Sequence, residues 1–270
     1  MQIQISHQSA YSYDKIGGPI VQALRLTPPT SPGQAIVSWQ LTAPGIDKAA
    51  TYIDAFGNRV HLITPGGRDG ASGSLISVQG VIATKDTAGV VGNLEDFGRA
   101  AIYLRETHTT KASPEIVAMA DSVRGKDEMS SLHALMARIH ADVAYDTDAT
   151  KPYTTAAEAY AQRRGVCQDH AQIFAAAARH LRIPARYVTG YLLTDQTDAG
   201  SAHHAWAEAL VPHLGWVGFD PANLTCPTDG YVRLAVGLDA GGAAPIRGVR
   251  MGPGAEMLSV AVMVHEAGAQ

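Results

Sequence analysis

The periodicity of apolar residues changes near residue 90, and this change limits what the chain can fold into. In the first 90 residues, polar and apolar residues alternate in short runs such as residues 2–6, as half-buried β-strands require. Clusters of glycine and proline separate these runs, for example at residues 27–33 and 65–70. The sequence therefore predicts a β-sandwich-like N-terminal module over residues 1–90.

Helical spacing dominates from about residue 91 onwards. The pattern predicts helices over residues 94–107, 114–123 and 129–143, and a short alanine-rich helix that starts at Thr154 or Thr155. In the third segment, apolar residues recur at every third or fourth position and give the helix one buried stripe: Leu132, Leu135, Met136 and Ile139. We therefore expect an α+β fold, with a second domain over residues 91–270.

Composition excludes several classes of protein. Apolar residues make up 46% of the 270-residue chain, which argues against disorder, and the formal net charge of −4 argues against a nucleic-acid partner. The longest unbroken apolar run, residues 173–178, is too short to cross a membrane, and the first residues lack the features of a secretory signal. Two cysteines, Cys167 and Cys226, cannot form a disulfide framework. We expect a cytoplasmic protein with no membrane partner.

Cys167 stands at the predicted start of a helix. Gly165 marks a turn just before it, and apolar residues then recur at every third or fourth position as far as Leu181. The thiol therefore begins the stripe that packs into the core. Unpaired N–H groups and the helix dipole favour a thiolate over a thiol at this place. This helix alone leaves a second interpretation equally open, in which Cys167 is a small buried apolar residue.

Two predicted strands supply partners for this thiol. In the strand that begins near His203, alternation places His204 and Trp206 on one face, and His203 with three alanines on the other. The small residues would let a helix pack closely, but the pattern does not decide which face meets the Cys167 helix. The next strand ends at Asp220, where its carboxylate is well placed to orient an imidazole on the neighbouring strand.

A thiolate, an imidazole and a carboxylate are the groups that nucleophilic acyl transfer needs. Cys167 would attack, His204 would take and return the proton, and Asp220 would fix the tautomer of the imidazole. The same region also offers zinc ligands, because His170 and His203 accompany these three residues. A single Cys-x-x-His pair without a second pair is, however, a weak zinc signal. We therefore expect no metal and no cofactor.

Four segments resemble the bacterial transglutaminase-like superfamily, whose members are often described as cysteine proteases. They are, in chain order, Gly165-Val-Cys-Gln-Asp-His-Ala, Arg182-Ile-Pro-Ala-Arg-Tyr-Val-Thr-Gly-Tyr-Leu, His204-Ala-Trp-Ala-Glu and Gly215-Trp-Val-Gly-Phe-Asp-Pro-Ala-Asn. Residues 140–225 carry the resemblance strongly, and the β-rich start is more loosely similar to the N-terminal β-module of many relatives. Two departures, at Arg182 and Ala207, do not touch the three key positions.

The resemblance implies a papain-like α+β core in which Cys167 is the nucleophile, His204 the general base and Asp220 the orienting acid. It implies a peptide, protein or amide substrate that forms a thioester on Cys167, with the Cys167 N–H as one oxyanion donor. Water is the favoured acceptor of the acyl group, so we expect a hydrolase. Two alternatives stay open: a protein-glutamine transglutaminase that uses an amine acceptor, and a non-catalytic binding module.

Several further residues receive structural interpretations. We expect Trp206 and Trp216 to be core or cleft-wall aromatics, and Cys226 to be a spare thiol. His170 lies in the first turn of the Cys167 helix and is interpreted as a solvated residue. The tail, residues 258–265, is interpreted as a closing strand of the catalytic sheet.

Overall fold

The first part of the chain is built almost wholly from strands, in a computed structural model that describes residues 1–15, 17–66, 72–93, 100–194 and 203–268. A short 3-10 helix, Ile46–Lys48, lies between two of them. The strands are β1 (Gln2–Tyr13), β2 (Ile20–Thr27), β3 (Gln34–Thr42), β4 (Ala50–Ile53), β5 (Arg59–Ile63), β6 (Gly73–Thr84) and β7 (Val90–Gly92). The predicted strand-rich start is confirmed.

Helices come first in the second part, and strands follow. The helices are α1 (Pro114–Ser122), α2 (Glu128–Asp142), α3 (Ala156–Gln162) and α4 (Cys167–His180). The strands are β8 (Ala144–Tyr145), β9 (Arg164–Gly165), β10 (Ala185–Leu192), β11 (His203–Val211), β12 (Gly215–Phe219), β13 (Tyr231–Gly237), β14 (Ile246–Arg250) and β15 (Glu256–Glu266). The fold class is α+β, as the sequence predicts.

Three larger sheets organise the described part of the molecule. The order β13-β10-β11-β12-β7 forms the sheet that carries the predicted site, while β15-β1-β6-β3 and β14-β2-β5-β4 combine N-terminal strands with the last two strands of the chain. The interpretation of the tail as a closing strand of the catalytic sheet is therefore wrong. Val262 and Val264 of β15 are buried in one cluster with Ile3 and Ile5 of β1. Alternation identifies a strand, but it does not name the sheet that the strand joins.

Helices α1 and α2 begin where the sequence places them. The Ser113 hydroxyl accepts a hydrogen bond from the N–H of Ile116, and the side chain of Asp127 caps α2 in the same way. The apolar stripe predicted for α2 is buried. In the described residues, no helix combines the length and the apolar character that crossing a membrane requires.

The sequence predicts a helix over residues 94–107, but the residues of this range that the structure describes form no α-helix. Residues 94–99 lie outside the described residues, Ala100–Leu104 forms a short 3-10 helix, and residues 105–107 are not helical. Beyond this point, the hydroxyl groups of Thr107 and Thr110 bond to backbone N–H groups of the same turn. Such local side-chain bonds compete with the helical backbone ladder.

Helix α4 packs on the small-residue face of β11. Ala205, Ala207 and Ala209 of that face are at most 4% exposed, and residues 175–178 of α4 are fully buried. Ala207 and Ala209 share one core cluster with the alanines of α4, while Ala205 packs with Cys167 at the start of the helix. The structure thus decides which face of the strand meets the helix.

Candidate active site

Cys167 is the first residue of α4, and a tight turn places it there. An added Cβ on Gly165 would lie 2.7 Å from the Cβ of Asp169, so only glycine fits this approach. The Asp169 carboxylate turns back to the helix start and accepts hydrogen bonds from the Val166 N–H at 2.8 Å and from the Thr150 hydroxyl at 2.6 Å. Cys167 itself is half-buried.

Strand β12 stops short of the beginning of β11. The last pair between the two strands joins Phe219 to Ala207, so the first residues of β11 project past the end of β12. Asp220 follows directly and turns the chain through paired backbone bonds with Thr225. Its carboxylate therefore meets the side chain of His204 at the open end of the sheet.

The His204–Asp220 pair is buried and short. His204 Nε2 donates to Asp220 Oδ2 at 2.6 Å. Burial opposes charge on the carboxylate, but hydrogen bonds from His204, Tyr231 and Asn223 outweigh it and lower the pKa of Asp220. The Tyr231 hydroxyl donates at 2.8 Å and the Asn223 side-chain amide at 2.7 Å, both to the same oxygen. The carboxylate is thus held ionised and fixed in direction.

His204 also shares a hydrogen bond with the thiol of Cys167. Because Nε2 is engaged by Asp220, the ring nitrogen that remains for the thiol is Nδ1. Burial lowers the pKa of His204, but the bonds to Asp220 and Cys167 and the negative charge beside them raise it to about 10. The site therefore favours an imidazolium that bridges sulfur and carboxylate. The structure brings the three predicted residues together.

Two aromatic rings enclose the imidazole. Trp206 stacks on His204 with ring centroids 6.3 Å apart, and Tyr231 meets it edge-on at 5.9 Å. Trp206 is 2% exposed, in agreement with its interpretation as a core aromatic. Trp216 is equally buried but lies elsewhere, under the Arg186 guanidinium at 3.8 Å.

Tyr145 is a site residue that sequence reasoning missed. The two-residue strand β8 pairs in parallel with β9, and Tyr145 lies opposite Gly165, two residues before Cys167. Its hydroxyl contacts both the thiol and the backbone N–H of Cys167. Burial and the charge of Cys167 raise the pKa of Tyr145 to about 12, so the phenol keeps its proton. No spacing rule links this tyrosine to the α4 helix, because the pairing of β8 with β9 is what brings the two segments together.

Asn223 was also missed, although the sequence held a signal for it. An Asx-type turn after Asp220 lets the Asp220 Oδ1 accept the N–H groups of Ala222 and Asn223. The same turn aims the Asn223 side chain at the carboxylate. An asparagine three residues after a strand-ending aspartate is a recognisable turn pattern.

The other candidates have structural positions. His170 is 1% exposed, so its interpretation as a solvated residue is wrong. Its ring nitrogens lie 2.9 Å from the Val166 carbonyl oxygen and 3.0 Å from that of Val143, which ties the start of α4 to the end of α2. Cys226 packs against the core cluster under α4, and burial raises the pKa of its thiol. Among the described residues, no three histidine, cysteine or acidic side chains are placed to hold a metal ion.

Known proteins with a similar structure or sequence support this description of the fold. A putative cysteine protease from Cytophaga hutchinsonii has a solved structure with a TM-score of 0.76 at 22% identity, covering 100% of this chain and 92% of that one. An uncharacterised protein of Mycobacterium leprae is 26% identical over 278 residues, 97% of this chain and 98% of its own. One from Mycobacterium bovis is 34% identical over 128 residues, 44% of this chain and 41% of its own.

Two family descriptions match separate parts of the chain. Residues 3–69 match the bacterial transglutaminase-like N-terminal region. Residues 117–221 match the transglutaminase-like superfamily, and this range contains Cys167, His204 and Asp220. The resemblance read from the sequence motifs is confirmed. The chain thus has a transglutaminase-like core, with a bacterial transglutaminase-like N-terminal region ahead of it.

Proposed function

We propose that this protein is a cysteine-nucleophile acyl-transfer enzyme that hydrolyses peptide or amide bonds. The observation that carries the proposal is the position of His204, which is bonded to Asp220 at 2.6 Å on one side and to Cys167 on the other. A thiol, an imidazole and a buried ionised carboxylate in this order are the groups that acyl transfer through sulfur requires. The fold shared with the Cytophaga hutchinsonii protein supports a common scaffold.

The reaction begins with sulfur. The raised pKa of His204, about 10, keeps its ring protonated at neutral pH. In the proposed mechanism the sulfur of Cys167 attacks as a thiolate, with its proton on this ring. A carbon–sulfur bond forms at the carbonyl carbon, and the carbonyl electrons move to oxygen. His204 then gives its proton to the departing nitrogen as the carbon–nitrogen bond breaks. An amine leaves, and a thioester remains on Cys167.

Water completes the cycle. The imidazole, now neutral, takes a proton from a water molecule whose oxygen attacks the thioester carbon. The carbon–sulfur bond breaks, a carboxylic acid leaves, and the thiolate–imidazolium pair is restored. Asp220 keeps the ring in one orientation throughout, because its carboxylate accepts from Nε2 in both steps.

The negative oxygen of the intermediate needs donors, and the site offers two. The backbone N–H of Cys167 at the helix start is the first. The Tyr145 hydroxyl is the second, because in the free protein it lies against that same N–H and against the thiol. A substrate carbonyl oxygen that displaces the hydroxyl from the N–H comes within its donating reach. One such donor is worth about 3 kcal/mol of transition-state stabilisation.

The test is intact-protein mass spectrometry with a panel of peptide and amide substrates. We expect an acyl adduct on Cys167, release of free acid, and loss of both in a Cys167→Ala variant that keeps the native circular dichroism spectrum. The matched control is Cys226→Ala, which removes the other half-buried thiol and leaves turnover intact. A Cys167→Ala variant as active as the natural protein would refute the proposal.

The same experiment separates the alternatives. A fluorescent primary amine that becomes joined to a glutamine-containing acceptor, in place of free acid, would indicate a transglutaminase. Cys167 that reacts with iodoacetamide no faster than an ordinary exposed thiol at pH 7 would indicate a non-catalytic binding module.

A further inference from the structure

The inward-pointing side chains of β1 change from apolar to polar halfway along the strand. Ile3 and Ile5 point into an aliphatic core, but the next inward residues are His7 and Ser9, each 3% exposed. Burying a polar side chain costs free energy unless the side chain forms hydrogen bonds. His7 Nδ1 lies 2.9 Å from the hydroxyl of Tyr191, and His7 Nε2 lies 3.0 Å from that of Ser9.

On the neighbouring strand β15, the side chains of the paired face change from buried to exposed at the same point. On β15, Val262 and Val264 are buried, but Leu258 and Val260 of the same face are 51% and 46% exposed. Exposed aliphatic side chains that continue a buried face are typical of a ligand-binding groove. The polar residues of β1 and the exposed aliphatics of β15 thus lie side by side on one face of the sheet, where Ser9 pairs with Val260.

A pocket of about 340 Å³ lies over this face of the sheet. Its lining includes His7, Ser9 and Tyr11 from β1, Leu258 and Val260 from β15, and His203 from β11. We call it the His7–His203 pocket. Its volume lies at the small end of the range found for ligand sites, about 300–1,000 Å³.

One residue of the pocket lining, His203, is the neighbour in sequence of a residue of the proposed active site. His203 immediately precedes His204, so their Cα atoms are about 3.8 Å apart. Alternation puts His203 on the same face of β11 as Ala205, which packs against Cys167. This link through His203 is the reason for assigning the pocket to a side chain that neighbours the carbonyl carbon at Cys167.

The chemistry of the lining selects an uncharged occupant. The described lining residues contain no lysine, arginine, aspartate or glutamate. Burial lowers the pKa of His7 and of His203 to about 4, so both rings are neutral at pH 7. If the Tyr191 hydroxyl donates to His7 and His7 donates to Ser9, the Ser9 hydroxyl is free to donate into the pocket. Aliphatic walls with one polar corner match an amphipathic ring.

We propose that the His7–His203 pocket binds an uncharged aromatic side chain of the substrate, tyrosine best of all, beside the bond that Cys167 attacks. The inference rests on the proposed function for its role in catalysis, but binding to the pocket can be measured without turnover. It names the substrate class: peptides or amides with a tyrosine next to the scissile bond.

The test uses the Cys167→Ala protein and N-acetyl-L-tyrosinamide as the probe, titrated by calorimetry or NMR. Leu258→Arg places a charged side chain in the pocket, and Met257→Arg makes the same change at the adjacent residue, which is 68% exposed on the opposite face of β15. We expect Leu258→Arg to weaken binding about tenfold or more, because the guanidinium fills the space with charge. Met257→Arg should leave the affinity unchanged.

Ser9→Ala tests the polar corner. It should remove the preference for N-acetyl-L-tyrosinamide over the phenylalanine analogue, roughly tenfold, with little effect on the phenylalanine analogue itself. Equal binding of the lysine analogue, or equal affinity in Leu258→Arg and Met257→Arg, would overturn the pocket proposal. Specific tyrosinamide binding in a protein that hydrolyses no amide would support the pocket while refuting the proposed function.

Discussion

Replacing His7 by glutamine should make the protein markedly less sensitive to acid. His7 is 3% exposed, and burial, with the nearby His203, lowers its pKa from 6.5 to about 4. In the unfolded chain the ring titrates near its ordinary value. Between these two pKa values the unfolded state binds a proton that the native state cannot, so stability falls as the pH falls from 6.5 towards 4.

The expected size follows from the two pKa values. One pKa unit corresponds to about 1.4 kcal/mol, and at pH 5 the difference in proton binding at His7 amounts to about 2 kcal/mol of lost stability relative to pH 7.5. Glutamine cannot titrate, so His7→Gln should lose about 2 kcal/mol less than the natural protein over the same interval. Any effect of the lost bond to Tyr191 is common to both pH values and cancels.

Urea unfolding at pH 7.5 and pH 5.0 measures this difference directly. His265→Gln is the matched control, because it makes the same change at a histidine that is exposed on β15. The reasoning is refuted if His7→Gln and His265→Gln lose equal stability on acidification. That result would mean that His7 exchanges protons freely in the native state.

Four further outcomes are expected. Asp220→Asn should reduce kcat by about 10⁴-fold with native circular dichroism, because the imidazole of His204 loses its orienting carboxylate. The alkaline limb of the kcat profile should fall as pH rises through about 10, where His204 gives up the proton that the leaving group needs. Glu208→Gln should cost about 3–5 kcal/mol in urea unfolding, because buried Glu208 pairs with the buried Arg186 at 2.6 Å and with the partly buried Arg233 at 2.9 Å. Gly190→Ala should lower thermal stability by about 1–3 kcal/mol and reduce turnover, because the added methyl group would clash with the Trp206 ring that stacks on His204.

Local patterns in the sequence predict the helix and the strands that carry Cys167, His204 and Asp220. The spacing after Gly165 predicts α4, alternation predicts β11, and Asp220 ends its strand as expected. These features are local, since a turn, a helix stripe and a strand period are each written in consecutive residues. Their meeting at one point was inferred from the roles and the resemblance, and the structure places the three side chains in contact. Their catalytic roles stay predictions.

The missed features all depend on contacts between distant segments. Tyr145 reaches Cys167 only because β8 pairs with β9, and two-residue strands leave no periodic signal. His203 shares a pocket with His7 only because strands from the two ends of the chain enclose it. The tail was assigned to the wrong sheet for the same reason. Periodicity describes one strand at a time, whereas pairing and pocket formation are properties of the assembled fold.

The last two strands of the chain pair with its first two strands, so the two ends of the chain are held together. Eleven residue pairs join β15 to β1, and five join β14 to β2. A protease that cut once in a surface loop between those ends would therefore leave two fragments that stay associated through backbone hydrogen bonds. Such a nicked protein would run as one species on a native gel and separate only in denaturant. Fragments expressed apart and mixed should reassemble by the same pairing.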